Sequence, residues 1–515
     1  MDKPRFVASL PAMRFANLLF PCLLFATFAH AAEPAPDSKG REKEKDEAKV
    51  DLPEPVVTEA TVTIDGKKIP YKATTGKLLL KKDDGKPRAS IFHVSYERSD
   101  VKDKTKRPVM FCFNGGPGSS AVWLHIGVLG PRIVRFPGDA TAPPRPPLLV
   151  EENPFSILDV CDLVFVDPVS TGYSRAEKDV KPSEFHGLDE DIESVGDFVR
   201  RWISEHDRWA SPKFLLGESY GGIRVAGLSH HLQSRYGMSL NGVVLLSSLL
   251  DFATLLEIPG NDLSNIIYLP SFASVAHFHG KLSGDRDALV KEATDFAYGP
   301  YATALLKGSD LETADMKALA GELEKLTGIS AAIWEKHQLR ISPTLFRAEL
   351  LRAEGKVIGR FDARVAWEST DPAAQMPDYD PSYSLAFGAI STAMLDYLGR
   401  DLGYKESQPY EILTGKVHPW RWNANNAIVN VSNRLATAMR DNPHLKVHVM
   451  GGLTDLATPP EGVNYSLRHL PRATPGSRDN FSLTMFDGGH MFYFNPPDLA
   501  KTRIDLLDFL KHATP

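Results

Sequence analysis

The chain has 515 residues, 43% of them hydrophobic and 24% charged, with a net charge of −6 at pH 7 and three cysteines. It is long enough for one large domain with an insertion, or for two to four average domains, and apolar enough to bury a sizeable core. The mildly acidic balance offers no field to hold a phosphate backbone, which argues against nucleic acid as a partner, and three cysteines supply neither a disulfide scaffold nor a Cys-rich zinc module.

Lys3, Arg5 and Arg14 precede an apolar run from Phe15 to Phe28, and Ala29-His30-Ala31 follows. A basic start, a short apolar stretch and a small-x-small site predict a secretory signal over residues 1–31. The run is short for a membrane span, so an uncleaved anchor is the weaker alternative, and no later segment holds about 18 continuous apolar residues. An exported chain is expected, periplasmic or extracellular, with no stable membrane span once the signal is removed. Residues 32–58 are rich in Pro, Lys, Glu and Asp, with too few apolar groups to offset their ordering entropy, and read as a disordered charged linker.

From residue 59 the pattern changes. Thr61–Ile64, Asp65-Gly66 and Ile69–Tyr71 read as strand, turn and strand; Leu78–Lys81 and Ser90–Tyr96 continue an antiparallel entry. Apolar strands then alternate with helices. Strands are expected at Pro108–Phe113, Asp162–Asp167, Phe214–Gly217 and Gly242–Ser247. Helices are expected at Leu188–His206, with Ile192, Val195, Phe198, Val199 and Trp202 along one side, and at Ile223–Tyr236. Such alternation predicts a mostly parallel sheet flanked by helices. It lapses between residues 252 and 425, where the sequence is helix-like with a loop around Asp371–Ser384. It resumes at Lys446–Met450, Ser482–Phe486 and a closing helix from Pro497 to Ala513. The expected organisation is an α/β core in two parts, 59–251 and 426–515, interrupted by a helical cap over 252–425. Cys112 and Cys161 lie in apolar strand-like runs and read as buried thiols; their pairing in an oxidising compartment stays open.

The sharpest local signal is Gly217-Glu218-Ser219-Tyr220-Gly221-Gly222, a G-x-S-x-G between a strand and a helix. Ser219 there sits on a tight turn that leaves no room for flanking side chains, at a helix N-terminus that favours negative charge. An earlier strand leads into Asn114-Gly115-Gly116-Pro117-Gly118, which lacks the Gly-Lys-Ser/Thr ending of a phosphate loop. It suits the second half of an oxyanion hole, with the Gly116 and Tyr220 N–H groups as donors. A base and an orienting acid must follow in the order Ser, Asp, His. His490, in Asp487-Gly488-Gly489-His490, and Asp455, in Gly452-Leu453-Thr454-Asp455, lie on loops after successive strands; Asp487 is the lesser candidate acid.

These four loops, in this order, resemble the serine carboxypeptidases, a family with the α/β-hydrolase fold. Asn114–Gly118, Gly217–Gly222, Gly452–Asp455 (with Leu453 in place of an Asp) and Gly488–His490 match its motifs, and Asp167–Ser174 is similar to a further one. The matches run from about residue 108 to 495 and leave the cap uncovered. The resemblance implies a Ser219–His490–Asp455 triad, peptide substrates, no metal or other cofactor, and release of C-terminal residues. It also implies a clamp for the substrate's free carboxylate, in which Asn114, Gly115 and Glu218 match. A carboxyl at Glu218 tolerates a carboxylate beside it only when one of the two holds a proton, so an acidic optimum is expected. The family's second clamp Glu falls on Val128, counting back from Gly130-Pro131, and no carboxyl occurs between Gly118 and Pro131. That gap keeps an esterase or acyltransferase on the same triad as the alternative. An exported binding protein that uses only the cap and linker is a third reading, which the complete triad disfavours.

Overall fold

The computed structural model describes residues 52–470 and 479–514. The expected secretory signal and most of the expected linker lie outside the described residues. The chain enters through three antiparallel strands, β1 (Val56–Ile64), β2 (Lys67–Lys81) and β3 (Pro87–Arg98). β1 thus begins inside the segment read as linker, because Val56 and Val57 pair with Thr75 and Thr74 of β2. Asp65 and Gly66 both take positive φ, 48° and 74°, in the tight turn between β1 and β2, a conformation that an Asp-Gly pair adopts readily.

Six parallel strands follow: β4 (Val109–Phe113), β5 (Asp162–Val166), β6 (Lys213–Ser219), β7 (Gly242–Ser248), β8 (Lys446–Gly452) and β9 (Phe481–Phe486). The sheet runs β1-β2-β3-β5-β4-β6-β7-β8-β9, with the two-residue strand Arg175–Ala176 beside β3 as its tenth member. Only the junction of β3 with β5 changes the sense from antiparallel to parallel.

β4 and β5 are buried along their whole length, and their side chains alternate between two cores. Val109, Phe111 and Phe113 enter one core with α1 (Leu188–Glu205) and α2 (Tyr220–Tyr236). Met110 and Cys112 enter the other, beneath α4 (Pro381–Arg400) and α5 (Pro496–Ala513). In α1 the expected stripe is buried, and Trp202 meets Phe111 edge to face at 5.4 Å. Each such large side chain contributes about 1.5–3 kcal/mol of burial. Asp189, Glu190 and Asp191 in the first turn of α1 complement the positive end of its dipole.

Between β7 and β8 a third apolar cluster forms around α3 (Leu263–Phe278), with Phe272 stacked on Phe346 at 4.0 Å. The inserted segment is not uniform. Helix α4 starts at Pro381, inside the expected loop at 371–384, and packs under the sheet with the main core rather than with the α3 cluster. Residues 411–421 run across the loops that follow β4 and β5 and the start of α1, with isolated bridges from Ser119 to Leu413, Gly172 to Glu411 and Gly187 to Arg421. Cys112 and Cys161 are free, buried thiols, and burial pushes both well above the ordinary thiol range. Among the described residues no helix is long and apolar enough to cross a membrane.

At the amino ends of the parallel strands a buried ionic cluster ties three segments together. Asp162 accepts from Arg107 Nε at 2.9 Å, from the Arg98 N–H at 3.0 Å and from Arg208 Nη1 at 2.7 Å. Replacing Asp162 with Ala strands two buried guanidinium groups. The expected loss is about 3–5 kcal/mol, read as a lower urea midpoint, and an unchanged midpoint contradicts this account of the cluster.

Candidate active site

The carboxyl ends of β4, β6, β8 and β9 bring every expected site residue to one rim of the sheet. Ser219 closes β6 with φ 60° and ψ −128°, and α2 starts at the next residue. That backbone conformation is costly for a side chain larger than Gly, on the order of 1–3 kcal/mol, and the surrounding contacts enforce it. A Cβ on Gly217 would stand 2.1 Å from the Gly221 carbonyl oxygen, and one on Gly221 would stand 2.5 Å from that of Phe113. Only glycine admits so sharp a turn from strand to helix.

The Asn114–Gly118 loop packs directly on this elbow. A Cβ on Gly115 would meet the Tyr220 nitrogen at 2.4 Å, so the candidate oxyanion donors of Gly116 and Tyr220 belong to touching segments. Gly116 has φ +101°, and Tyr220, at the first position of α2, has no carbonyl one turn earlier in its own helix. A buried pair fastens the two segments: Arg224 of α2 donates through Nε to Asp191 at 2.8 Å and through Nη1 to the Asn114 carbonyl at 2.7 Å. The Tyr220 hydroxyl also donates to Asp191, at 3.2 Å.

The acid and base loops are pressed together in the same way, since a Cβ on Gly452 would lie 2.1 Å from the Gly489 carbonyl oxygen. Asp455 is fully buried and holds His490 Nδ1 at 2.8 Å through Oδ2. Its Oδ1 accepts from the N–H groups of Ala457 and Thr458, at 2.7 and 2.9 Å. Thr458 Oγ1 completes the cage, 2.9 Å from Asp455 Oδ2, 3.0 Å from His490 Nδ1 and 2.7 Å from the Ser247 carbonyl. With Nδ1 engaged by a carboxylate, Nε2 is the nitrogen left to act as a base. Ser247 Oγ donates to the His490 carbonyl at 2.7 Å, and the Phe361 ring packs 5.2 Å from the imidazole. Burial lowers the pKa of His490, but the charge and hydrogen bond of Asp455 and the charge of Glu218 outweigh it and leave the imidazole above its ordinary value. Asp487, the lesser candidate acid, instead pairs with Arg286 at 2.5 Å.

Ser219 and His490 line one cavity of about 340 Å³, with Asn114, Gly115, Gly116 and Glu218 on its wall. Burial pushes the Glu218 carboxyl up to about 7, against the opposing charge of His490 and a 2.6 Å hydrogen bond from the Tyr493 hydroxyl. Val128 is buried in the core and lines no part of this cavity, so the matching position supplies no second carboxyl. Tyr493 reaches Glu218 instead; it packs against Gly127, where a Cβ would come within 2.9 Å of its ring. Sequence reasoning missed Tyr493 and Thr458, though both stand a few positions from residues it selected. Among the described residues no group of three or more His, Cys, Asp or Glu side chains is placed to hold a metal ion.

The family model described as serine carboxypeptidase matches residues 66–490. Serine carboxypeptidase-like 9 of Arabidopsis thaliana is 23% identical over 238 residues, 45% of this chain and 49% of that protein. Serine carboxypeptidase 1 of Hordeum vulgare is 28% identical over 29% of each chain, and the lysosomal protective protein of Mus musculus is 24% identical over 37% of this chain and 35% of its own. The chain thus spans about half, or less, of the length of these curated relatives. Among solved structures, Kex1Δp, a prohormone-processing carboxypeptidase from Saccharomyces cerevisiae, superposes with a TM-score of 0.52 at 14% identity, covering 85% of this chain and 91% of that one. This likeness and the sheet described above make the fold that of the α/β hydrolases.

A fluorophosphonate probe is expected to label Ser219 alone, with labelling lost in Ser219→Ala and slowed at least about a hundredfold in His490→Ala. Peptide mapping by mass spectrometry checks this. Labelling that survives Ser219→Ala contradicts the assignment.

Proposed function

The chain belongs to the serine carboxypeptidase family, and from that premise we propose that it releases C-terminal residues from peptides through an acyl-enzyme on Ser219. The observation that carries the reading is the 2.8 Å hydrogen bond from His490 to Asp455 at the wall of the cavity that Ser219 also lines. His490 Nε2 takes the Ser219 proton as Oγ attacks the last peptide carbonyl. The Gly116 and Tyr220 N–H groups hold the oxyanion, each worth about 3–4 kcal/mol in the transition state. Asp455 keeps the proton on Nδ1 and stabilises the imidazolium. His490 then protonates the leaving amine, and water, activated by the same nitrogen, releases the acyl group. A Ser219→Ala variant is expected to lose at least about 10⁴-fold in kcat on blocked dipeptides.

Glu218, with Asn114 and Gly115, receives the substrate's free carboxylate. Tyr493 occupies Oε2 as a donor, which leaves Oε1 to carry a proton and donate it to that carboxylate. The sign of the pH dependence follows. Glu218 is raised to about 7, so it is mostly protonated below that value and ionised above it, where it repels the substrate. His490 must be neutral to act as base and is raised by Asp455 and then by Glu218. Protonating Glu218 removes its share of that rise and frees the imidazole at lower pH. Activity on free-acid peptides is therefore bell-shaped and favoured on the acidic side of neutrality. Above about pH 7, kcat/KM is expected to fall toward tenfold per pH unit, and Glu218→Gln is expected to remove that alkaline limb. A limb of wild-type slope in Glu218→Gln contradicts the role given to Glu218.

The absence of a second carboxyl at Val128 supports one alternative, an esterase or acyltransferase working through the same triad. Free-acid and C-terminally amidated peptides separate the two: a preference for the free acid of at least about tenfold is expected of the carboxypeptidase, and equal rates favour the alternative. The basic and apolar pattern of residues 1–31 supports export of the chain.

A further inference from the structure

A second cavity, of about 180 Å³, adjoins the catalytic one and shares Arg360 and Ala457 with it. We propose that it is the subsite for the residue on the acyl side of the scissile bond and that it selects an acidic side chain there. The inference rests on the carboxypeptidase reading above.

Its position follows from the strand order. β6, which ends at Ser219, has β4 on one side and β7 and β8 on the other. Asn114 and Gly115 follow β4, whereas Leu255 and Leu456–Ala457, which line the second cavity, follow β7 and β8. A peptide whose terminal carboxylate sits at Asn114, Gly115 and Glu218 therefore runs across Ser219 toward Ala457. The residue before the scissile bond then lies at the mouth of the second cavity.

The charge preference follows from the walls. Arg360 is exposed, lies 5.2 Å over the Phe361 ring and forms no side-chain hydrogen bond or ion pair among the described residues. Arg347 is nearly buried; it donates to the Ile358 and Tyr379 carbonyls at 3.1 and 3.3 Å, and its nearest carboxylate, Asp380, stands 4.0 Å away. That carboxylate is already shared by the Arg360 and Ser382 N–H groups and the Ser382 hydroxyl. Against these two guanidinium groups the cavity lining sets one carboxyl, Glu257, which has no hydrogen-bond partner among the described residues. Tyr268 and Thr344 add hydroxyls to the lining. Asp380 offsets Arg347 from outside the lining, and Arg360, the cation with no ion pair among the described residues, offers its donors to an incoming carboxylate.

Blocked dipeptides with one common C-terminal residue and Glu, Gln or Lys before it test this. At low salt, kcat/KM for Glu is expected to exceed that for Gln by about tenfold or more, with Lys the poorest and the ratio shrinking as salt rises. Arg360→Gln is expected to cut the Glu-to-Gln ratio several-fold, and Glu257→Gln to raise it. Because each ratio is taken within one protein, a general loss of activity does not imitate the effect. Equal rates for Glu and Gln, a preference for Lys, or a ratio unmoved by Arg360→Gln overturns the inference while the carboxypeptidase reading stands. Hydrolysis of none of the three peptides overturns that reading and this inference with it.

Discussion

The hydrogen bond between His490 and Asp455 is the contact on which the rest of the site depends. Its partners come from loops 35 residues apart that meet because Gly452 lets its backbone approach the Gly489 carbonyl more closely than any side chain permits. The bond sets which imidazole nitrogen is free. It also confines a charge in a buried place where neighbouring donors, the N–H groups of Ala457 and Thr458, already satisfy the other carboxylate oxygen. A buried carboxylate so surrounded is held in one orientation, which an orienting acid requires.

The same economy of space governs the other half of the rim. The elbow glycines press α2 against the end of β4, and Arg224 ties that helix to the Asn114 carbonyl through a pair buried with Asp191. The candidate oxyanion donors are thus set by backbone packing rather than by mobile side chains, the kind of preorganisation that makes such donors effective. Glu218 lies between the two halves. Its proton affinity is raised by burial and opposed by His490, while His490 in turn feels Glu218. Under the proposed function, substrate recognition and general-base strength are therefore coupled through one pair of groups that titrate together.

Much of this was legible in the sequence, for identifiable reasons. Strands β4 to β7 have short apolar centres bounded by turn residues, and α1 carries its apolar stripe at helical spacing, so pattern alone placed them. The candidate triad could be proposed because the order of strand-ending loops along the chain limits which Ser, Asp and His can meet at one rim. The inserted segment was not. Helix α4 and the helices around Phe272 are similarly apolar, and periodicity does not say which surface a helix will cover; α4 went beneath the sheet. Nor did the sequence disclose Tyr493 as the partner of Glu218 or the proximity of Arg347 and Arg360, since each is a long-range pairing that only the folded chain creates. The gap at Val128 could be read directly, whereas the phenol that reaches Glu218 in its absence could not.

The central claim is that Ser219 Oγ carries the acyl group between two chemical steps. Rapid acid quench of the wild-type protein during turnover of a blocked dipeptide ester, followed by mass spectrometry of the peptide containing Gly217–Gly222, tests it most directly, because esters favour accumulation of the acyl-enzyme. The account predicts an added mass equal to the acyl group, located on Ser219 and formed at a rate no slower than turnover. Turnover with no adduct, or an adduct on another residue that forms fast enough to account for turnover, contradicts it.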